Sequence, residues 1–227
     1  VAEIFEPKSI KTIQPKFGLR EYQKQCCVDL EEFNQQGRER VLLHLPTGAG
    51  KTRTAINYAC EYLRNNPEKF VVWLADTTEL CDQALQAFEQ GWKYLGDREL
   101  SRFAMYGNRE FSLDGIYEGF AILGLQKFRS LTNKEDIQRI LPSFKERVGL
   151  IIFDEAHKAL APSYRLLTEL LMERSSGNVD KPYLVGLSAT PGRSLTDDDE
   201  NNKLSELFYN NKVSMRVRGY SSPIEYL

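Results

Sequence analysis

The chain has 227 residues, 41% of them apolar and 27% charged, and its 30 basic and 32 acidic side chains leave a formal charge of −2. That length fits one large domain or a domain with an appendage, and the composition allows a buried core. The charge balance excludes a broadly cationic surface, so a polyanionic partner would have to be held by local groups. Cys26, Cys27, Cys60 and Cys81 make no Cys-x-x-Cys framework. They are expected to be reduced, buried thiols of a cytoplasmic protein. No apolar run approaches the roughly 20 residues needed to span a bilayer, so no membrane partner is expected. Residues 1–16 read as a polar lead segment without the apolar core of a signal peptide.

From residue 17 onward the pattern is regular. Leu19, Tyr22, Cys26, Leu30 and Phe33 recur every three or four positions, which predicts a helix over 19–36 closed by Gly37. The apolar run Val41–Leu45 predicts a strand. It meets Pro46-Thr47-Gly48-Ala49-Gly50, and a second helical stripe follows through Ala55, Ile56, Ala59 and Leu63. The unit recurs with a strand at Phe70–Ala75 and a helix at Glu79–Trp92. Further strands are predicted at Phe103–Tyr106, Phe120–Leu123, Val148–Phe153 and Tyr183–Leu187, with helices near Gln126–Leu131, Glu135–Leu141 and Ser163–Glu173. Near-continuous apolar strands alternating with helices predict an α/β fold, a mostly parallel sheet with helices on both faces. The acidic and amide-rich run from Asp197 to Asn202 reads as a solvated, mobile loop. His44, inside the first strand, reads as a core histidine, and Trp92 and Tyr94 read as packing groups at a helix end.

Chemistry concentrates in two places. Leu45-Pro46-Thr47-Gly48-Ala49-Gly50-Lys51-Thr52 lies between a predicted strand and a predicted helix. Glycines let backbone N–H groups approach phosphate oxygens, and a helix N-terminus offers partial positive charge. Lys51 can reach the β and γ phosphates, and Thr52 offers a hydroxyl to Mg²⁺. The spacing is that of the P-loop, with Leu45 where the general pattern has its first glycine. The second place is the strand Val148–Phe153, which runs into Asp154-Glu155-Ala156-His157 and delivers carboxylates to the sheet edge where the P-loop opens. Asp154 would hold Mg²⁺, directly or through water, and Glu155 would orient and deprotonate the attacking water.

With PTGAGKT as motif I and DEAH as motif II, the sequence resembles the superfamily 2 helicases and translocases. The resemblance implies a RecA-like P-loop NTPase domain over 17–227 that binds ATP and Mg²⁺. Ser188-Ala189-Thr190 is similar to motif III, so Ser188 and Thr190 would couple nucleotide state to nucleic-acid state together with His157. Leu19-Arg20-Glu21-Tyr22-Gln23 resembles the segment in which a glutamine reads adenine, implying Gln23, with Arg20 and stacking by Phe17. Ala75–Ala84 resembles motif Ia, and Gly124-Leu125-Gln126-Lys127 resembles a later nucleic-acid-contacting motif. Thr77, Thr78 and Gln126 are the implied phosphate contacts, although a threonine at a helix start also serves as a cap. LPTGAGKT, the LAD…DQA stretch, DEAHK and SATPGR together resemble the branch containing the motor subunits of type I and type III restriction enzymes and related repair helicases, implying a restriction or repair enzyme subunit. That branch implies duplex DNA as partner. The family motor has two RecA-like domains, and nothing after SATPGR matches the second one's motif VI, so the second domain of the same parent is an expected partner. A P-loop NTPase with no nucleic-acid substrate, or a non-catalytic nucleic-acid-binding module, are the alternative readings.

Overall fold

A computed structural model of the chain describes residues 14–108, 116–132, 134–174, 180–189 and 198–216. Seven parallel strands form one sheet: β1 (Arg40–His44), β2 (Phe70–Ala75), β3 (Arg102–Met105), β4 (Gly119–Gly124), β5 (Val148–Phe153), β6 (Tyr183–Ser188) and β7 (Lys212–Ser214). Their order across the sheet is β3-β4-β2-β5-β6-β1-β7. Apart from edge strands β3 and β7, nearly every strand residue is buried. This is the burial that an apolar run covered on both faces requires.

Alternate strand residues feed two cores. Val41, Leu43, Val71, Trp73, Ile122, Leu150, Ile152 and Val185 pack against α1 (Glu21–Gln35), α2 (Lys51–Asn65) and α3 (Thr78–Leu95). Leu42, Val72, Leu74, Ala121, Ile151, Phe153 and Leu184 pack on the other face against α4 (Leu125–Leu131), α5 (Glu135–Arg147), α6 (Pro162–Met172) and α7 (Asp198–Leu207). The two-faced α/β architecture is therefore as the sequence predicts. All four cysteines are buried and unbridged. Among the described residues no helix is long and apolar enough to cross a membrane.

Three departures have physical causes. The acidic run is not a loop from Asp198 onward but opens α7 (Asp198–Leu207). Leu204 and Phe208 are buried and anchor this segment under the sheet, with the Phe208 ring lying against Gly186 of β6. Helix α5 runs through Pro142 to Arg147. An internal proline costs about 3 kcal/mol, yet Ile137 before it and Phe144 after it are both buried in the second core. The third departure is β7, whose three residues carry too short a pattern to be read and which pairs with β1 through Leu42–Lys212, Leu43–Val213 and His44–Ser214. His44 is 8% exposed, as a core histidine should be. Trp92 stacks on Phe88 and donates to the Arg98 carbonyl at 2.9 Å, so it is a packing group. Tyr94 is not: it is 43% exposed, with the Lys16 ammonium over its ring.

Candidate functional site

In a parallel sheet every strand ends on the same edge, and here that edge collects the motifs. The P-loop leaves β1, the LAD segment leaves β2, Gly124-Leu125-Gln126 leaves β4, Asp154-Glu155 leaves β5, and Ser188 closes β6. Since β1 and β5 flank β6, the loop and the acids face each other across one strand.

The P-loop is held from beneath. Leu45 is fully buried and its N–H donates to the Ser188 carbonyl at 3.1 Å, which explains why a large apolar residue stands at the loop's first position. Ala49 is buried and its N–H closes a turn onto Pro46. Gly48 and Gly50 have φ of 84° and 78°, a region open to glycine and costly for other residues. Gly50 caps α2, whose first residues are Lys51 and Thr52. Thr47 and Gly48 lie exposed at the loop tip, while Lys51 and Thr52 are half-buried.

Tyr22 and Gln23 brace this loop from α1. The Tyr22 hydroxyl donates to the Ala49 carbonyl at 2.9 Å. Gln23 donates through Nε2 to the Ala49 carbonyl at 3.0 Å and to the Gly50 carbonyl at 3.4 Å, while its Oε1 accepts from the Arg20 N–H. Gln23 is only 4% exposed, and Arg20 is exposed at the helix start. Phe17 does not offer a free ring: it is buried in the core, and the Arg53 guanidinium lies 4.2 Å over its face. The role of Tyr22 has no signal in the sequence beyond its place on the apolar stripe.

Lys51 is the electrostatic centre. Its Nζ donates to Glu155 Oε1 at 2.9 Å and lies 3.7 Å from Asp154 Oδ1. Asp154 is 5% exposed. Burial pushes its carboxyl above the usual range, opposed by the Lys51 ammonium and by the Glu155 N–H that it accepts. Glu155 sits at φ 53°, ψ 62°, a conformation costly for a residue with a side chain and found where a surrounding structure enforces it. Its other oxygen, Oε2, lies 3.4 Å from His157 Nδ1 on the 3₁₀ turn Ala156–Leu160. No cluster of three or more His, Cys, Asp or Glu side chains suited to a metal occurs among the described residues.

The remaining predicted residues are less converged. Thr77 caps α3, its Oγ1 accepting from the Leu80 N–H at 3.3 Å, and Thr78 opens the helix; both are exposed on the motif edge. Gln126 is exposed in the first turn of α4. Ser188 is buried at the end of β6, and Thr190 lies outside the described residues.

A parallel sheet whose glycine loop runs from strand to helix, with a lysine held between that loop and an acidic strand end, defines a P-loop NTPase domain. The chain belongs to the family described as type III restriction enzyme, res subunit, whose pattern matches residues 16–193. It is 32% identical over 143 residues to the EcoKI endonuclease subunit, a type I restriction enzyme of Escherichia coli K12, a match covering 63% of this chain and 12% of that protein. It is 27% identical over 157 residues to the ATP-dependent DNA helicase fml1 of Schizosaccharomyces pombe, covering 69% of this chain and 18% of the relative. The fold matches the crystal structure of the Pyrococcus furiosus Hef helicase domain with a TM-score of 0.64 and 22% identity, over 92% of this chain and 40% of that one. The chain thus spans a small part of the relatives it matches.

Proposed function

We propose that the chain is the ATP-binding motor domain of a nucleic-acid-dependent ATPase, a helicase or duplex-DNA translocase, acting with a second RecA-like domain of the same parent. The observation that carries this reading is the placing of Lys51 between the P-loop and the two acids that end β5. In this reading Thr47, Gly48 and Gly50 offer backbone N–H groups to the phosphates while the Ala49 turn onto Pro46 shapes the loop, and Arg20 flanks the adenine with Gln23 fixing the loop behind it. Lys51 exchanges the Glu155 carboxylate for the γ-phosphate when ATP enters. That exchange frees Glu155 to orient the attacking water and take its proton, with His157 beside it.

Thr52 and Asp154 are hard oxygen donors at the loop and strand end. They suit a Mg²⁺ ion that keeps most of its ligands as phosphate and water. Bound there, Mg²⁺ supplies charge neutralisation to the β and γ oxygens. Ser188 at the end of β6, together with Thr190, reports the nucleotide state, and Thr77, Thr78 and Gln126 take phosphates of one strand by hydroxyl, amide and helix N-terminus. A grip of that kind needs no cationic excess, in keeping with a formal charge of −2.

Four unbridged buried thiols suit a reducing compartment, and the cytoplasm is the one proposed. By itself, the 227-residue chain should hydrolyse ATP slowly, since a transition-state arginine from a partner domain is worth on the order of 10³–10⁵ in rate. The experiment is ATP hydrolysis by the intact protein with and without duplex DNA and RNA. Stimulation by DNA, lost in Lys51→Ala, supports the reading. Unchanged turnover with every nucleic acid points to a P-loop NTPase of another kind.

A further inference from the structure

One cluster outside the phosphate site joins two loops of the motif edge. Asp76, the first residue past β2, accepts from the Tyr164 hydroxyl through Oδ1 at 2.7 Å, and its Oδ2 lies 3.4 Å from Lys158 Nζ. Tyr164 lies in the first turns of α6, and Lys158 in the 3₁₀ turn that begins immediately after Glu155. Helix α4, which carries Gln126 in its first turn after β4, packs against α6 beside it. Segments leaving β2 and β5, far apart in sequence, therefore meet on one tyrosine and one carboxylate, with the first turn after β4 packed alongside. The Asp76 side chain is 16% exposed, whereas that of Lys158 is 46% exposed.

The charge arrangement is unusual for its place. Asp76 immediately precedes Thr77 and Thr78, so a carboxylate stands beside the groups proposed to hold a phosphate backbone. An anion there opposes phosphate binding unless a cation compensates it, and the cation it has is carried by the turn that holds Glu155 and His157. A shift of roughly 1 Å in that turn, the scale of many switching movements, moves the base of the Lys158 side chain relative to Asp76 and so biases how closely the ammonium can hold the carboxylate. The Tyr164 hydroxyl keeps the carboxylate aimed at this junction while the lysine moves.

We propose that Asp76, Lys158 and Tyr164 are positioning residues that couple the nucleotide site to the nucleic-acid loops: the turn after Glu155 sets how fully Lys158 neutralises Asp76, and that sets how tightly Thr77, Thr78 and Gln126 hold a phosphate strand. The proposal rests on the nucleic-acid-dependent reading above and names the parts by which it is regulated. None of the three residues touches ATP in it.

The test is carried out on the intact protein with wild type, Asp76→Asn, Lys158→Gln, Tyr164→Phe and the double variant Asp76→Asn/Lys158→Gln. Affinity for a fluorescent DNA duplex is measured with ADP and with a non-hydrolysable ATP analogue, alongside ATP affinity and thermal midpoint. Lys158→Gln should weaken DNA binding about fivefold, the low end of typical coupling between sites, with ATP affinity unchanged. Asp76→Asn should make DNA affinity nearly equal in the two nucleotide states. The double variant should regain the affinity that Lys158→Gln loses, since the uncompensated charge is gone. Tyr164→Phe should shrink the difference between nucleotide states without altering ATP affinity. A difference between nucleotide states that stays at its wild-type value in folded Asp76→Asn and Lys158→Gln proteins overturns the coupling, as do losses that simply add in the double variant. Wild-type protein that binds no DNA overturns the functional reading itself, a result distinct from either.

Discussion

The ammonium of Lys51 is 2.9 Å from the Glu155 carboxylate, across 104 residues of sequence, so one ion pair joins the P-loop to the acidic strand end. The pair spans two strands separated by β6. Each half of the site therefore holds the other in place electrostatically.

Removing Lys51 should have a signed pH signature as well as a kinetic one. Lys51→Ala should lower ATP turnover by about 10²–10³, the usual effect of deleting one preorganised charge at a developing anion. It also strips the nearest cation from Asp154, whose carboxyl is already raised by burial. A carboxyl raised further in the folded state favours the protonated form, so the variant loses stability as pH rises. Its deficit in thermal midpoint relative to wild type should be larger at pH 8 than at pH 5. A deficit that is the same at both pH values contradicts the electrostatic account of this pair.

Gln23 braces the loop from below, and its loss should show in binding before chemistry. Gln23→Ala removes hydrogen bonds to the Ala49 and Gly50 carbonyls. Each is worth about 1 kcal/mol, so the KM for ATP should rise by up to roughly thirtyfold with a smaller change in kcat. Gly50→Ala attacks the same joint from the other side: a β-carbon there meets Gln23 Nε2, and the backbone sits at φ 78°. Its effect on ATP affinity should equal or exceed that of Gln23→Ala. Unaltered ATP binding in both variants would show that the brace has no part in holding the loop.

His44 should set part of the acid sensitivity. Burial, with the Lys212 charge beside it, lowers the imidazole from 6.5 to about 4. A depressed folded value means that this contribution to stability is full above the ordinary imidazole value and drains away as pH falls towards the folded one. His44→Leu should flatten the dependence of chemical-denaturation midpoint on pH across that window. A variant with the wild-type slope would place the acid sensitivity elsewhere.

Gly186 tests whether α7 belongs to the fold. A side chain at this position of β6 runs into the ring of Phe208, which is fully buried. Gly186→Ala should cost about 1–3 kcal/mol by overpacking, and Phe208→Ala about 3–5 kcal/mol by leaving a cavity. The combination should cost less than the sum, because the methyl then occupies part of the vacated space. Denaturant unfolding of the three variants gives the comparison.

Legibility of the fold depends on period and charge. The strands ending in Asp154 and Ser188 are readable because a parallel strand covered on both faces is a continuous apolar run, and their motifs sit at fixed offsets from it. The start of α7 is not, since Asp198-Asp199-Glu200-Asn201-Asn202 carries no apolar period and its helix depends on Leu204 and Phe208 finding the sheet. The extension of α5 past Pro142 is equally hidden, because it rests on burial of Phe144 against the sheet and not on any local preference. Within the site, Lys51, Asp154 and Glu155 follow from spacing. The contacts of Tyr22 with Ala49 and of Tyr164 with Asp76 are long-range and leave no mark in either local segment.

The measurement that bears most directly on the central claim is steady-state ATP hydrolysis by the intact protein, with and without duplex DNA, in wild type and Glu155→Gln. The account predicts turnover that DNA raises by an order of magnitude or more in wild type, about 10²–10⁴ of which is lost when the general base is removed, while ATP still binds Glu155→Gln. Turnover indifferent to every DNA and RNA tested, or equal in wild type and Glu155→Gln, would contradict it.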